Sequence, residues 1–290
     1  MSRASEAARQ LLWDAGYDSA QEIEDLAELV RGRELLYREA PLKGCDAMIV
    51  YSKSGKRAQV TVNSDIHYEP RKRFSIAHEL GHFELGHNKL HCDNAGTLDC
   101  YRSGHQEAEA NEFASELLMP ASAFMDAVRG KRFCPRLIQE VAEAFGTSVS
   151  SVVYRYVTCG PHPVACVYSY KGKVVWMRKS REMRRYMIDW KDLAVPQNSV
   201  SEEFFQDPMD FNYGLDEIDS VKVDLDVWFQ APKSRQQRGS HDSWRVQHAL
   251  GGNRGWDSYE DLDDDSGGGE CYEYCFTSPF GGCLAVIWED

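Results

Sequence analysis

The segment His78-Glu79-Leu80-Gly81-His82 constrains this chain more than any other. On a helix, positions i and i+4 share a face, so the two imidazoles point the same way and Glu79 lies beside them. The flanking Phe74, Ile76, Ala77, Leu80, Phe83 and Leu85 make the same helix largely apolar, and therefore buried. Pro70 suits its first turn and Gly86 its C-cap. Two imidazoles and a carboxylate inside such a helix are costly unless they find partners. A metal ion satisfies both imidazoles at once. Zn²⁺ held this way lowers the pKa of water toward ~7, and a carboxylate in the position of Glu79 can take the proton.

A catalytic zinc takes a third protein ligand. The extension HExxHxxGxxH requires Gly at 85 and His at 88, where this chain has Leu85 and Asn88; Gly86 and His87 are out of register. His87 and His91, four apart in a loop, read as structural. The other source is an acidic residue on a second helix over about 105–118, whose buried stripe is Ala110, Phe113, Ala114, Leu117 and Leu118. Its candidates are Glu107, Glu109, Glu112 and Glu116, and spacing alone does not choose among them. Glu109, Glu112 and Glu116 also fit an ordinary solvated face.

The blocks RKRFSIAHELGH and EAEANEFASELLMP, across about residues 70–120, resemble the ImmA/IrrE family of zinc metallopeptidases in order and separation. The resemblance implies Glu79 as general base, and His78, His82 and Glu109 as ligands of Zn²⁺. Asn111, Glu112 and Glu116 are candidates for orienting the imidazoles. Tyr101 and His105, just before the second helix, are candidates for the oxyanion stabiliser. The strand expected at 57–63 is a candidate for pairing with extended substrate at a sheet edge.

Around this core, residues 4–13 form an amphipathic helix, and Ser19 with Glu22 reads as a capping box for another. Residues 46–51 and 57–63 read as a hairpin. Pro120 precedes a short helix near 121–128, and residues 135–157 have a helix–turn–helix shape. DNA reading needs basic and polar side chains on the second helix, where SVSSVVYRYV offers only Arg155. Arg129, Lys131, Arg132 and Arg136 lie just upstream. The basic footprint is thin, and packing or partner binding is the favoured role, with direct DNA binding not favoured.

Beyond Pro163 the pattern alternates as in strands, at VACVYSY, KVVWMR, 221–229, 270–276 and 283–288. The eight Lys/Arg of 171–191 read as a solvated helix after a hairpin. Cys271, Cys275 and Cys283 match no common zinc spacing and read as buried small apolar residues. Residues 231–268 are polar and Gly/Asp-rich and read as a mobile loop. Residues 192–290 carry 6 Lys/Arg against 21 Asp/Glu, a net of −15, whereas residues 1–191 carry 27 against 25, a net of +2. An acidic last third repels nucleic acid and anionic lipid. No apolar run approaches the roughly 18 residues of a membrane span, no secretory h-region opens the chain, and nine scattered cysteines fit a reducing cytoplasm.

The expected fold is α+β. It comprises a mainly helical zincin-like peptidase domain with a short sheet (1–122), a helix–turn–helix-like unit (123–158) and an acidic antiparallel α+β sensor or recognition domain (159–290), GAF-like in some relatives. The expected activity is that of a cytoplasmic zinc endopeptidase. The resemblance implies a helix–turn–helix transcriptional repressor as protein substrate, cut in a stress or mobile-element response. The alternatives are a DNA-binding regulator with a structural or vestigial zinc site, and a non-cleaving toxin–antitoxin or phage-defence partner.

Overall fold

The computed structural model describes residues 2–17, 23, 25–52, 57–87, 91–93, 105–208, 220–230, 269–278 and 281–289. The fold is α+β. The chain divides into two compact units, Met1–Lys131 with Ile138–Arg155, and Arg132–Leu137 with Tyr156–Asp290. The helices expected to form a unit of their own at 123–158 are divided between these two.

In the first unit, α1 (Arg3–Asp14) starts at Ser2, whose hydroxyl accepts the Ser5 N–H, and it buries Ala4, Ala8, Leu11 and Leu12. Helix α2 (Leu26–Gly32) opens at Asp25, whose carboxylate accepts the N–H groups of Ala27 and Glu28. The cap is therefore Asp25; Ser19 and Glu22 lie outside the described residues. Strands β1 (Leu36–Ala40), β2 (Ala47–Tyr51), β3 (Ala58–Asn63) and β4 (His91–Asp93) form a sheet in the order β1-β3-β2-β4. β2 and β3 form the antiparallel hairpin, with Ala47 opposite Val62 and Tyr51 opposite Ala58, and β1 runs parallel to β3. β3 is thus paired on both sides. It offers no free edge to a substrate strand, which corrects that expectation; β1 and β4 are the edges among the described residues.

Helix α3 (Glu69–Glu84) carries Pro70 in its first turn and lies against this sheet, its Ile76, Ala77 and Leu80 sharing a core with Ile49, Val60 and Val62. Ion pairs fix both of its ends. Arg71 binds Asp46 through two bonds of 2.6 Å, Lys72 reaches Glu39 at 2.7 Å, and Arg33 binds Glu84 at 2.6 and 2.7 Å. Helix α4 (His105–Leu118) packs on α3 and α1 with its Phe113, Ala114 and Leu117 fully buried. Pro120 then caps α5 (Ala121–Val128). α6 (Pro135–Phe145) and α7 (Val149–Cys159) follow, with Gly146 turning between them at φ +58°. Arg155, the basic residue of the second helix, is 5% exposed and ion-paired with Glu116 of α4.

The second unit is an antiparallel sheet of β5 (Val164–Tyr170), β6 (Lys173–Lys179), β7 (Val221–Asp224), β8 (Glu270–Thr277) and β9 (Gly282–Trp288), in the order β6-β5-β9-β8-β7. It is covered by α8 (Val200–Gln206) and by α9 (Leu225–Trp228). The expected strand at 221–229 therefore ends at Asp224 and turns helical, burying Val227 and Trp228. No helix forms over residues 180–191: Lys179 Nζ instead ties down the carbonyls of Met183 and Arg185 at 2.7 and 2.8 Å, and Arg185 pairs with Glu289. Cys271, Cys275 and Cys283 are free and buried among apolar residues, and burial pushes the Cys271 thiol up to about 12. The stretch 231–268 lies outside the described residues. Among the described residues, no helix is long and apolar enough to cross a membrane.

Candidate metal centre

Gly81 lets α3 and α4 approach. A Cβ there would lie 3.1 Å from the Phe113 ring and 3.2 Å from the Ala110 backbone, so a larger residue would need these neighbours to give by a few tenths of an ångström. At this contact His78 Nε2 and His82 Nε2 stand 3.0 Å apart. Glu107 Oε2 lies 3.1 Å from the first and 3.5 Å from the second. Both histidines are buried. Ligands at about 2.0–2.1 Å from a tetrahedral zinc stand roughly 3.3 Å from one another, so the three atoms have the spacing of a His₂Glu site. Two imidazoles and a carboxylate are also the donor chemistry of such a site. Burial pushes the Glu107 carboxyl up, but hydrogen bonds and attraction from His78 and His82 outweigh it and hold the group well below the usual carboxylate range.

Asn111 lies one turn beyond Glu107, and its Oδ1 is 2.9 Å from His78 Nδ1. An Nδ1–H donated to this oxygen leaves Nε2 with its lone pair facing Glu107 and His82. Glu79 is completely buried on the same helix. On β2, Tyr51 shares the inward face of Ala47 and Ile49, and its buried hydroxyl feels Glu79. Burial first, and the Glu79 charge second, push this phenol up to about 12.

The carboxylate that faces the two histidines is Glu107 and not Glu109. Residues two apart on a helix point about 200° apart, so the two glutamates flank opposite sides of the stripe Ala110, Phe113, Ala114 and Leu117. Glu109 Oε2 lies instead 3.3 Å from His87 Nε2 and 3.1 Å from His105 Nδ1. Glu112 accepts the hydroxyls of Ser2 and Ser5 at the start of α1. Glu116 is engaged by Arg9 and Arg155, so neither of these two orients an imidazole. The side chain of His105 is 74% exposed, beside Glu109. Tyr101 and the His91 side chain lie outside the described residues. His87, read from sequence as a loop histidine, is buried at 3% exposure with Nδ1 2.9 Å from His82 Nδ1. The available signal was Gly86, because a glycine cap turns the next residue back over the last helical turn.

Residues 38–156 match the family model of the Peptidase M78 group, described as IrrE N-terminal-like domain. No curated protein matches the chain. A solved structure of a Mycobacterium tuberculosis transcriptional regulator aligns with a TM-score of 0.53 at 14% identity, covering 100% of this chain and 77% of that one. At this identity the likeness concerns the fold. The matched residues 38–156, which contain both α3 and α4, are thus similar to the IrrE N-terminal-like domain.

Proposed function

We propose that this protein is a zinc-dependent endopeptidase, with His78, His82 and Glu107 as the ligands. The observation that supports this best is the convergence of His78 Nε2, His82 Nε2 and Glu107 Oε2 next to a fully buried Glu79. Bound there, zinc would supply Lewis-acid polarisation of the scissile carbonyl and a lowered pKa for the attacking water. Asn111 keeps the His78 ring in the tautomer whose Nε2 is unprotonated. The Glu79 carboxylate accepts the proton of the attacking water and passes it to the leaving amine. His78, Glu79 and His82 are buried beside the apolar core that packs around α3.

The proposed substrate, taken from the family resemblance, is a helix–turn–helix transcriptional repressor, cut in a stress or mobile-element response. The net −15 of residues 192–290 would complement the basic DNA-binding face of such a protein, giving the acidic domain a recognition or sensing role. A DNA-binding role for this chain itself is weakened by Arg155, the one basic residue of the second helix, being buried in an ion pair.

Incubation of the zinc-loaded protein with a helix–turn–helix repressor encoded beside it tests the proposal by mass spectrometry of the products. Cleavage at one site is expected, lost on chelation of zinc and weakened at high salt as the Debye length falls from about 10 Å at 0.1 M to about 3 Å at 1 M. A repressor left intact by zinc-loaded protein at low salt contradicts it.

A further inference from the structure

Gly86 ends α3 at φ +68°, a left-handed conformation that glycine adopts without steric cost. The Gly86 N–H bonds the Phe83 carbonyl at 3.0 Å and the His87 N–H bonds the His82 carbonyl at 2.9 Å. This pair of hydrogen bonds turns the chain back over the last helical turn. It delivers the His87 ring to His82, edge to face with centroids 5.1 Å apart and the two Nδ1 atoms 2.9 Å apart. The other nitrogen of His87, Nε2, lies 3.3 Å from Glu109 Oε2.

The direction of the proton between the two Nδ1 atoms follows from what lies on either side. Two facing ring nitrogens hold one proton between them, so one ring donates and the other accepts. A carboxylate only accepts, so Glu109 favours the His87 tautomer protonated at Nε2. His87 Nδ1 is then a lone pair that accepts the Nδ1–H of His82. The His82 Nε2 lone pair is left facing His78 Nε2 and Glu107 Oε2. We infer that His87 and Glu109 are positioning residues that fix the tautomer and ring orientation of His82 for metal binding, as Asn111 does for His78. The inference rests on the zinc reading above. It gives Glu109 a task one step removed from the ion, and gives the Gly86 cap a reason to sit four residues after His82.

Zinc affinity, measured on the full chain by competition with a chromophoric chelator at fixed pH, tests the inference. His87→Leu is expected to bind zinc roughly 10–100-fold more weakly, the usual effect of removing the partner of a ligating histidine. Glu109→Leu is expected to weaken binding in the same direction. Glu109→Gln, whose amide oxygen still accepts the Nε2–H, is expected to restore binding to near the unaltered level, which a purely structural role would not require. Imidazole ¹⁵N NMR of the zinc-loaded unaltered protein reads the tautomers without any substitution, with His87 expected to be protonated at Nε2. A folded His87→Leu variant that binds zinc as tightly as the unaltered protein overturns the inference, and so does a His87 protonated at Nδ1 in the zinc-loaded protein. An unaltered protein that binds no zinc overturns the zinc reading itself, a result distinct from either of these.

Discussion

Glu79→Gln is expected to slow cleavage by roughly 10²-fold or more while leaving zinc content and unfolding behaviour close to those of the unaltered protein. The substitution is nearly isosteric, which matters at a side chain with no exposure, because no cavity opens in the core around α3. It removes only the group able to take a proton. The His78, His82 and Glu107 cluster lies on other side chains and keeps its geometry. Single-turnover cleavage with both proteins loaded with zinc gives the comparison, and near-normal cleavage by the variant would remove Glu79 from the mechanism.

The largest effect on stability is expected at Glu116, which takes no part in the site. Its carboxylate is 2% exposed, binds Arg155 of α7 and Arg9 of α1, the latter at 2.7 Å, and accepts the Ala121 N–H at 3.2 Å. One side chain thereby joins three helices to the start of α5. Glu116→Ala removes one side of a buried ion pair with Arg155, at an expected cost of about 3–5 kcal/mol. Urea unfolding measures this, and an unchanged midpoint would contradict it. Burial pushes the Glu116 carboxyl up, but Arg155 and then Arg9 outweigh it, so its folded-state pKa lies below the usual value. A lowered carboxylate pKa means stability that is present above about pH 4.3 and is lost as the pH falls below it. The gap in stability between the unaltered protein and Glu116→Gln is therefore expected to close on acidification.

The elements whose residues carry their own periodicity were legible. The stripe Ala110, Phe113, Ala114 and Leu117 announces α4, and alternation announces β2 and β3. β1 was not legible: LYREA is mostly exposed, and β3 beside it in space rather than in sequence makes it a strand. The buried ion pair of Glu116 with Arg155 joins residues 39 apart, and no local pattern marks it. His78, Glu79 and His82 follow from helical spacing within one segment. The choice between Glu107 and Glu109 does not, because it depends on which flank of the α4 stripe meets α3. That docking is set by the contact of Gly81 with Ala110 and Phe113, a tertiary fact. His87 was hidden for a related reason: its role needs the path of the chain after Gly86, which a count of residues from His82 does not supply.

Zinc content per chain, measured by elemental analysis on the unaltered protein, Glu107→Ala and Glu109→Ala after equilibration with a weak chelator, tests the central claim most directly. The account predicts one zinc in the unaltered protein, loss of it in Glu107→Ala, and reduced but surviving binding in Glu109→Ala. Full, tight zinc in Glu107→Ala, with none in Glu109→Ala, would contradict it.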